Sequence, residues 1–255
     1  MNSDMLIEAL DLPPSSQVNQ RVPKKLLLEN GAPTSADKRI INDGVEELQW
    51  VAALKPTTIG IPDYRDDVRE YLEIAVLRLT LRTEAKATRI VELVHRAVPY
   101  PLLLLTEKAE YTAPTDLSAA QKRWSQGEAG RTVLEGDVVT DGWDAQQDPK
   151  RWPSFLEALA LGKQPRATLY ALYQGWIDAL QALRAARITG IFTLASNAED
   201  AARRRDALQE FARLDAEIAR LRATAAKESQ MSRRVELNLE LKRIEAARDV
   251  ARANL

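Results

Sequence analysis

From Ser196 to Leu255 the chain contains neither Gly nor Pro and is dense in Ala, Arg, Glu and Leu, which restricts this stretch to long helix. Leu208, Phe211, Leu214, Ile218, Leu221 and Ala225 recur at steps of three and four residues, so one narrow side of the helix is apolar and the others are charged. An unbroken helix from Ala198 to Ala253 would reach about 80 Å at about 1.5 Å per residue. Between Lys227 and Arg234 the stripe falters, and it resumes with Val235, Leu237, Leu241 and Ile244, so a bend or a change of packing partner belongs there. Asn238 beside the resumed stripe is either a buried register-setting residue or exposed. The apolar stripe needs a cover, and Phe211, Leu214, Ile218 and Leu221 are the expected association residues of a homodimer. A fold-back into a helical hairpin would hide the same side chains within one chain.

The remaining length sets the rest of the organisation. With 255 residues, 45% of them hydrophobic, the chain can build one globular domain beside the helical part. The reading is α+β: an α+β layer domain over 1–148, a helical region over 149–195 and a long helix or coiled-coil arm over 196–255. Lys and Arg total 36 against 37 Asp and Glu, which excludes a surface basic all over but allows a local basic face. Residues 1–10 lack a basic segment before a long apolar run, and no stretch reaches membrane-spanning length, so a cytoplasmic protein without membrane contact is expected. There is no Cys, which removes disulfides and thiolate metal sites.

Within the first part, Thr34 or Ser35 can cap a helix in which Ile40, Ile41, Val45, Leu48 and Val51 share a face, closed by Lys55-Pro56. A strand is expected over 57–61. The best strand signal runs from Tyr71 to Arg82, where the alternation changes phase after Val76 as at a bulge or register shift. Glu84 to Ala97 has helical spacing, and Pro99-Tyr100-Pro101 forces extended entry into a strand at Leu102 to Thr106. Shorter strands are expected over 109–113 and 132–140, with Gly136-Asp137 as a turn. After Asp148-Pro149 helical spacing takes over. Pro165 is placed in the first turn of a helix presenting Leu169, Leu172, Tyr173, Trp176, Leu180 and Leu183, which Gly190 stops. Ser196 and Glu199 have capping-box spacing for the long helix.

Chemistry is sparsely advertised. A restriction-type nuclease core needs an acid on one strand and an Asp or Glu two positions before a Lys on the next, to hold Mg²⁺ and place a water. Glu73 has Ala75 where the Lys belongs, Glu84-Ala85-Lys86 has the spacing but opens a helix, and Glu107-Lys108 lacks the gap. His95, the only His, sits where it can act on a helix C-terminus, and no second His supports a metal site. No Gly-x-Ser-x-Gly elbow, Walker A loop or Gly-x-Gly-x-x-Gly occurs, and no cofactor or metal is expected. Positive charge in turn-rich segments marks Arg21, Lys24, Lys25 and Lys38 as nucleic-acid-binding candidates. Arg203-Arg204-Arg205 and Arg233-Arg234 on the long helix are balanced by nearby acids. Trp124, Trp143 and Trp152 could stack on bases, although Trp in a chain of this size more often fills a core.

Several runs carry a family likeness: Asn19 to Lys25, Leu28 to Gly31, Ala36-Asp37-Lys38, Leu54 to Thr57, Tyr71 to Ile74, Val98 to Pro101 and Val235 to Asn238. They resemble an uncharacterised bacterial domain-of-unknown-function family encoded beside helicases and DNA methyltransferases in loci that look like phage defence or restriction. That resemblance implies a nucleic-acid-directed assembly and no particular catalytic residue. The expected function is a non-enzymatic accessory or interaction protein of such a system, with a helicase or methyltransferase as partner and possible contact with DNA. A metal-dependent nuclease with a degenerate motif and a purely structural dimer are the alternatives.

Overall fold

A computed structural model describes residues 3–109, 115–143 and 152–255, and the chain divides into two compact units, Met1–Leu180 and Gln181–Leu255. The first unit is built on a mixed sheet. Its elements are α1 (Ser3–Ala9), β1 (Gln17–Arg21), α2 (Lys24–Asn30), α3 (Ser35–Gly44), β2 (Val45–Leu54), the single turn α4 (Pro56–Ile59) and the small hairpin β3 (Tyr64–Arg65) with β4 (Glu70–Tyr71). There follow β5 (Ile74–Leu81), α5 (Ala87–Ala97), β6 (Leu102–Lys108), β7 (Thr115–Trp124), β8 (Thr132–Trp143), α6 (Trp152–Leu159) and α7 (Leu169–Thr189), whose last residues belong to the second unit.

Six strands form one sheet in the order β1-β2-β5-β6-β7-β8, antiparallel except for the parallel pair β5 and β6. A parallel neighbour needs a crossover, and α5 supplies it. Leu93 and Val94 of α5, Leu27 of α2 and Ile41 of α3 pack on Leu77, Leu79 and Leu104 of the sheet, all buried. Because β5 and β6 are covered on both faces, they read as near-continuous apolar runs rather than as alternation. The register shift expected after Val76 is present: Val76 pairs with Ala52 and Leu77 with Trp50, the extra residue lying on β2. The predicted face of α7 is correct: Leu169, Leu172, Tyr173, Trp176 and Leu180 are buried, and Trp176 donates Nε1–H to Leu159 O at 2.8 Å.

Several expectations are corrected. The helix predicted to run to Lys55 ends at Gly44, and Val45–Leu54 is strand β2. Two register shifts, one between Val45 and Glu47 and one between Trp50 and Ala52, each insert an extra residue. Buried Val45, Leu48 and Val51 therefore fall three apart and imitate helical spacing. The strand expected over 57–61 is instead largely α4. The strand expected over 109–113 lies, apart from Ala109, outside the described residues. Gly136 is not in a turn: β8 runs through it, with φ 78° at the glycine, where two extra residues of β8 face the step from Ala119 to Gln121. Pro165 precedes α7 rather than opening it, and the Thr168 hydroxyl accepts from Ala171 N–H in its first turn.

In the second unit, α8 (Ala198–Lys227) and α9 (Met231–Ala253) lie antiparallel. The cap of α8 is Asn197, one residue after the predicted Ser196, and its side chain accepts from Asp200 N–H at 2.9 Å. The break at 228–230 falls within the stretch where the apolar stripe falters. Ile218 and Leu221 pack on Leu237 and Leu241, with Ala225 and Ile244 beside them. Arg222 pairs with Glu245 at 2.6 Å and Arg248 with Asp215 at 3.7 Å, which fixes the antiparallel direction. Leu214 is also buried, Phe211 is half-buried and Asn238 is exposed. Ile218 and Leu221 of the expected association stripe are thus packed against α9 of the same chain, and Asn238 sets no buried register.

Candidate functional site

Of the four basic candidates, the fold brings two together. Arg21 ends the edge strand β1 and pairs with Glu47 at 3.5 Å. Lys24 opens α2, and its ammonium donates to Val45 O at the start of β2. Arg82, just past β5, donates to Asn42 O and Asp43 O at the end of α3 and completes a basic corner. Burial first, then the positive charges of Arg82 and Arg21, lower the pKa of Lys24. Lys25 points outward on α2 and pairs with Glu29 at 3.6 Å, and Lys38 is exposed on α3. Arg82 was missed because it lies about sixty residues from Arg21 and meets it only through the pairing of Val45 with Leu81.

The nuclease candidates are used otherwise. Glu73 is buried and pairs with Lys55 at 3.1 Å. Glu84 and Lys86 are exposed ahead of α5. Glu107 accepts from Ser3 N–H at 3.2 Å, at the start of α1. No group of three or more His, Asp or Glu among the described residues could hold a metal ion. Trp124 ends β7 rather than lying in an irregular region, and the side chains of Trp143 and Trp152 lie outside the described set.

A second cluster went unread in the sequence because it lies on β7, a strand whose Ser-Ala-Ala-Gln-Lys-Arg stretch has little strand character. Beyond Ser118 the pairing of β7 with β6 ends, and the main-chain groups on that side of β7 need other partners. Two tyrosine hydroxyls take them up. Tyr173 OH accepts from Ala120 N–H at 2.9 Å and reaches Leu102 O at 2.7 Å, and Tyr71 OH accepts from Lys122 N–H at 3.2 Å. Burial raises the pKa of both phenols, so they stay protonated. Held this way, Lys122 runs beneath the end of α5 and donates to His95 O at 2.6 Å and to Val98 O. Its ammonium therefore satisfies carbonyls that the last turn of a helix leaves open.

His95, expected to serve that helix end, does something else. Its ring is fully buried, with Nε2 2.9 Å from Ser118 Oγ, while the Ser118 hydroxyl is 3.4 Å from Leu104 O. Burial, with the nearby Lys122 charge second, pulls His95 down to about 3, so it is neutral, and the side chain that meets the carbonyls at the end of α5 is Lys122. A Ser–His contact can activate a hydroxyl. Here both residues are 0% exposed, and the contact is a core hydrogen bond.

The titration of His95 has a measurable consequence. Its folded value lies below the ordinary 6.5 of a solvated histidine, so the unfolded chain binds more protons between about pH 3 and pH 6.5. Stability held above pH 6.5 is lost as the pH falls toward 3. Chemical denaturation of the wild type and of His95→Gln across this window should show a steeper rise with pH in the wild type, by up to about 1.4 kcal/mol per pH unit. Equal slopes would mean that the folded protein accommodates a charged His95.

Beside Lys122 a cavity of about 270 Å³ opens, lined also by Arg96, Arg131, Thr132 and Leu134. Arg96 pairs with Glu92 at 2.5 Å and Arg131 with Glu128 at 2.6 Å. Burial pulls the Lys122 ammonium down to about 7. Among the described residues, the acceptors of its ammonium are main-chain carbonyls and not carboxylates.

No helix among the described residues is long and apolar enough to cross a membrane. No curated protein and no solved structure matches the chain. A protein-family model does, over residues 10–247, which takes in the whole mixed sheet and most of the helical hairpin. The chain belongs to the family described as domain of unknown function DUF4391.

Proposed function

We propose that this chain is a non-enzymatic accessory protein of a nucleic-acid-directed assembly, partnered by a helicase or a DNA methyltransferase, and that its basic corner contacts the phosphate backbone. The observation that carries the reading is that the fold brings Arg82 to the neighbouring residues Arg21 and Lys24, with Lys24 disfavoured in its charged form by burial and by the other two cations. Each such cation gains from a phosphate oxygen, and a duplex presents phosphates at a spacing that several side chains can meet. Lys25, whose pair with Glu29 is exposed, can exchange that carboxylate for phosphate at little cost.

Binding of DNA to the wild type and to Lys24→Ala with Lys25→Ala, measured over a range of salt, tests the corner. Weaker binding is expected, with the slope of log K against log salt reduced by about one for each phosphate that the variant no longer neutralises. An unchanged slope would take these residues out of the interface. Incubation of the protein with DNA and Mg²⁺ or Mn²⁺ addresses the enzyme alternative, since strand cleavage that follows the protein through purification would replace the accessory reading.

A further inference from the structure

We propose that the cavity between the end of α5 and the strands β7 and β8 is a binding site for a phosphate group, with Lys122 at its base and Arg96 and Arg131 at its sides. The inference is separate from the basic corner and stands on its own residues.

Lys122 is the reason to expect a ligand. It is 3% exposed, and closing a helix end needs only neutral donors. Burying a cation for that purpose is costly, and no carboxylate among the described residues compensates it. In its protonated form, which a neighbouring phosphate favours, Lys122 has three N–H donors, and two go to the carbonyls of His95 and Val98, so one donor remains for the cavity that the residue lines. The two arginines add planar forks suited to phosphate oxygens. Their present partners, Glu92 and Glu128, hold them in pairs that are a third or more exposed, and such pairs are worth little and exchange easily. The negative end of α5 opposes an anion, but amounts to only about half a charge and already faces Lys122. Thr132, whose hydroxyl donates to Pro99 O, together with His95, Val133 and Leu134 forms the remaining wall. At about 30 Å³ per water, 270 Å³ holds roughly nine waters, enough for a phosphate with part of an organic group attached.

Titration calorimetry of the full chain tests the site with inorganic phosphate, a deoxynucleoside 5′-monophosphate, the matching nucleoside, and an oligonucleotide with and without a 5′-phosphate. Inorganic phosphate and the nucleotide are expected to bind and the nucleoside much more weakly, and the oligonucleotide with a 5′-phosphate to bind more tightly than the one without, by the margin that the cavity adds to any backbone contact at the basic corner. Arg96→Gln with Arg131→Gln should weaken binding about tenfold or more, the scale of losing charge-assisted hydrogen bonds. Lys122→Met should abolish it, and if that variant does not fold, the double arginine variant decides, because both guanidinium groups are half-exposed. Tighter binding of the phosphorylated strand end would assign the site to nucleic-acid termini, and equal binding of inorganic phosphate would assign it to small phosphates; each supports the site. Absence of saturable binding at millimolar ligand, or binding unchanged in the arginine variant, overturns it. Lys24→Ala with Lys25→Ala should leave phosphate affinity unchanged, so failure of the basic corner and failure of this cavity are read separately.

Discussion

Replacing Leu214 and Ile218 together by Asp is expected to melt the α8–α9 hairpin while the sheet-based unit stays folded. Both side chains are almost completely buried, and Ile218 lies in the apolar seam with Leu237 and Leu241. Losing two such burials removes about 3–6 kcal/mol, before the cost of placing two carboxylates in the seam is counted. Few other apolar side chains hold these helices together, so their circular-dichroism signal should fall steeply. The near-ultraviolet signal from the first unit, where Trp176 is packed, should persist. A dimer formed through this stripe would first have to open the hairpin. If the variant keeps its helicity and sedimentation shows only a change from dimer to monomer, the intrachain seam is not what covers these residues in solution.

Trp176→Ala should cost the first unit about 3–5 kcal/mol, the range for deleting a large aromatic from a packed interior. The ring is 0% exposed, and its indole N–H is bonded to Leu159 O, so truncation leaves both a cavity and an unpaired buried carbonyl. The same substitution at half-buried Trp50 should cost less, although that indole also bonds a carbonyl, Ala52 O. Urea unfolding of the three proteins measures the difference, and equal midpoints for the two variants would mean that the packing around α7 is softer than its burial implies.

The long C-terminal helices, α5 and the apolar strands β5 and β6 were legible because each carries a periodic apolar pattern with clear ends. Strand β2 was not, for a specific reason: two bulges stretch its buried spacing from two residues to three, and a helix is the ordinary explanation of that interval. Strand β7 was hidden differently. Ala119, Ala120, Gln121, Lys122 and Arg123 favour a helix by composition, and only pairing with β6 and β8 makes them a strand. With β7 unread, Lys122 could not be connected to His95, and the cavity beside it could not be anticipated. For the basic corner the residues Arg21 and Lys24 were visible from local charge, whereas Arg82 needed the β2–β5 pairing. His95 was placed correctly near the end of its helix, but its burial against Ser118 depends on a strand that had not been recognised.

Strand β1 has a bearing on how this protein coexists with others. As the last strand of the sheet it carries main-chain donors and acceptors with no further strand beside them among the described residues, an invitation to pairing with another molecule. The invitation is spoiled locally. Asn19 takes a left-handed conformation at φ 50°, and the ladder to β2 slips between Gln17 and Gln20. The outward residues are Gln, Asn and Arg over a length of only five positions. A foreign strand arriving here would meet a kinked, polar and partly cationic border on which few consecutive hydrogen bonds can form, so the open margin of the sheet is a poor seed for fibrous growth.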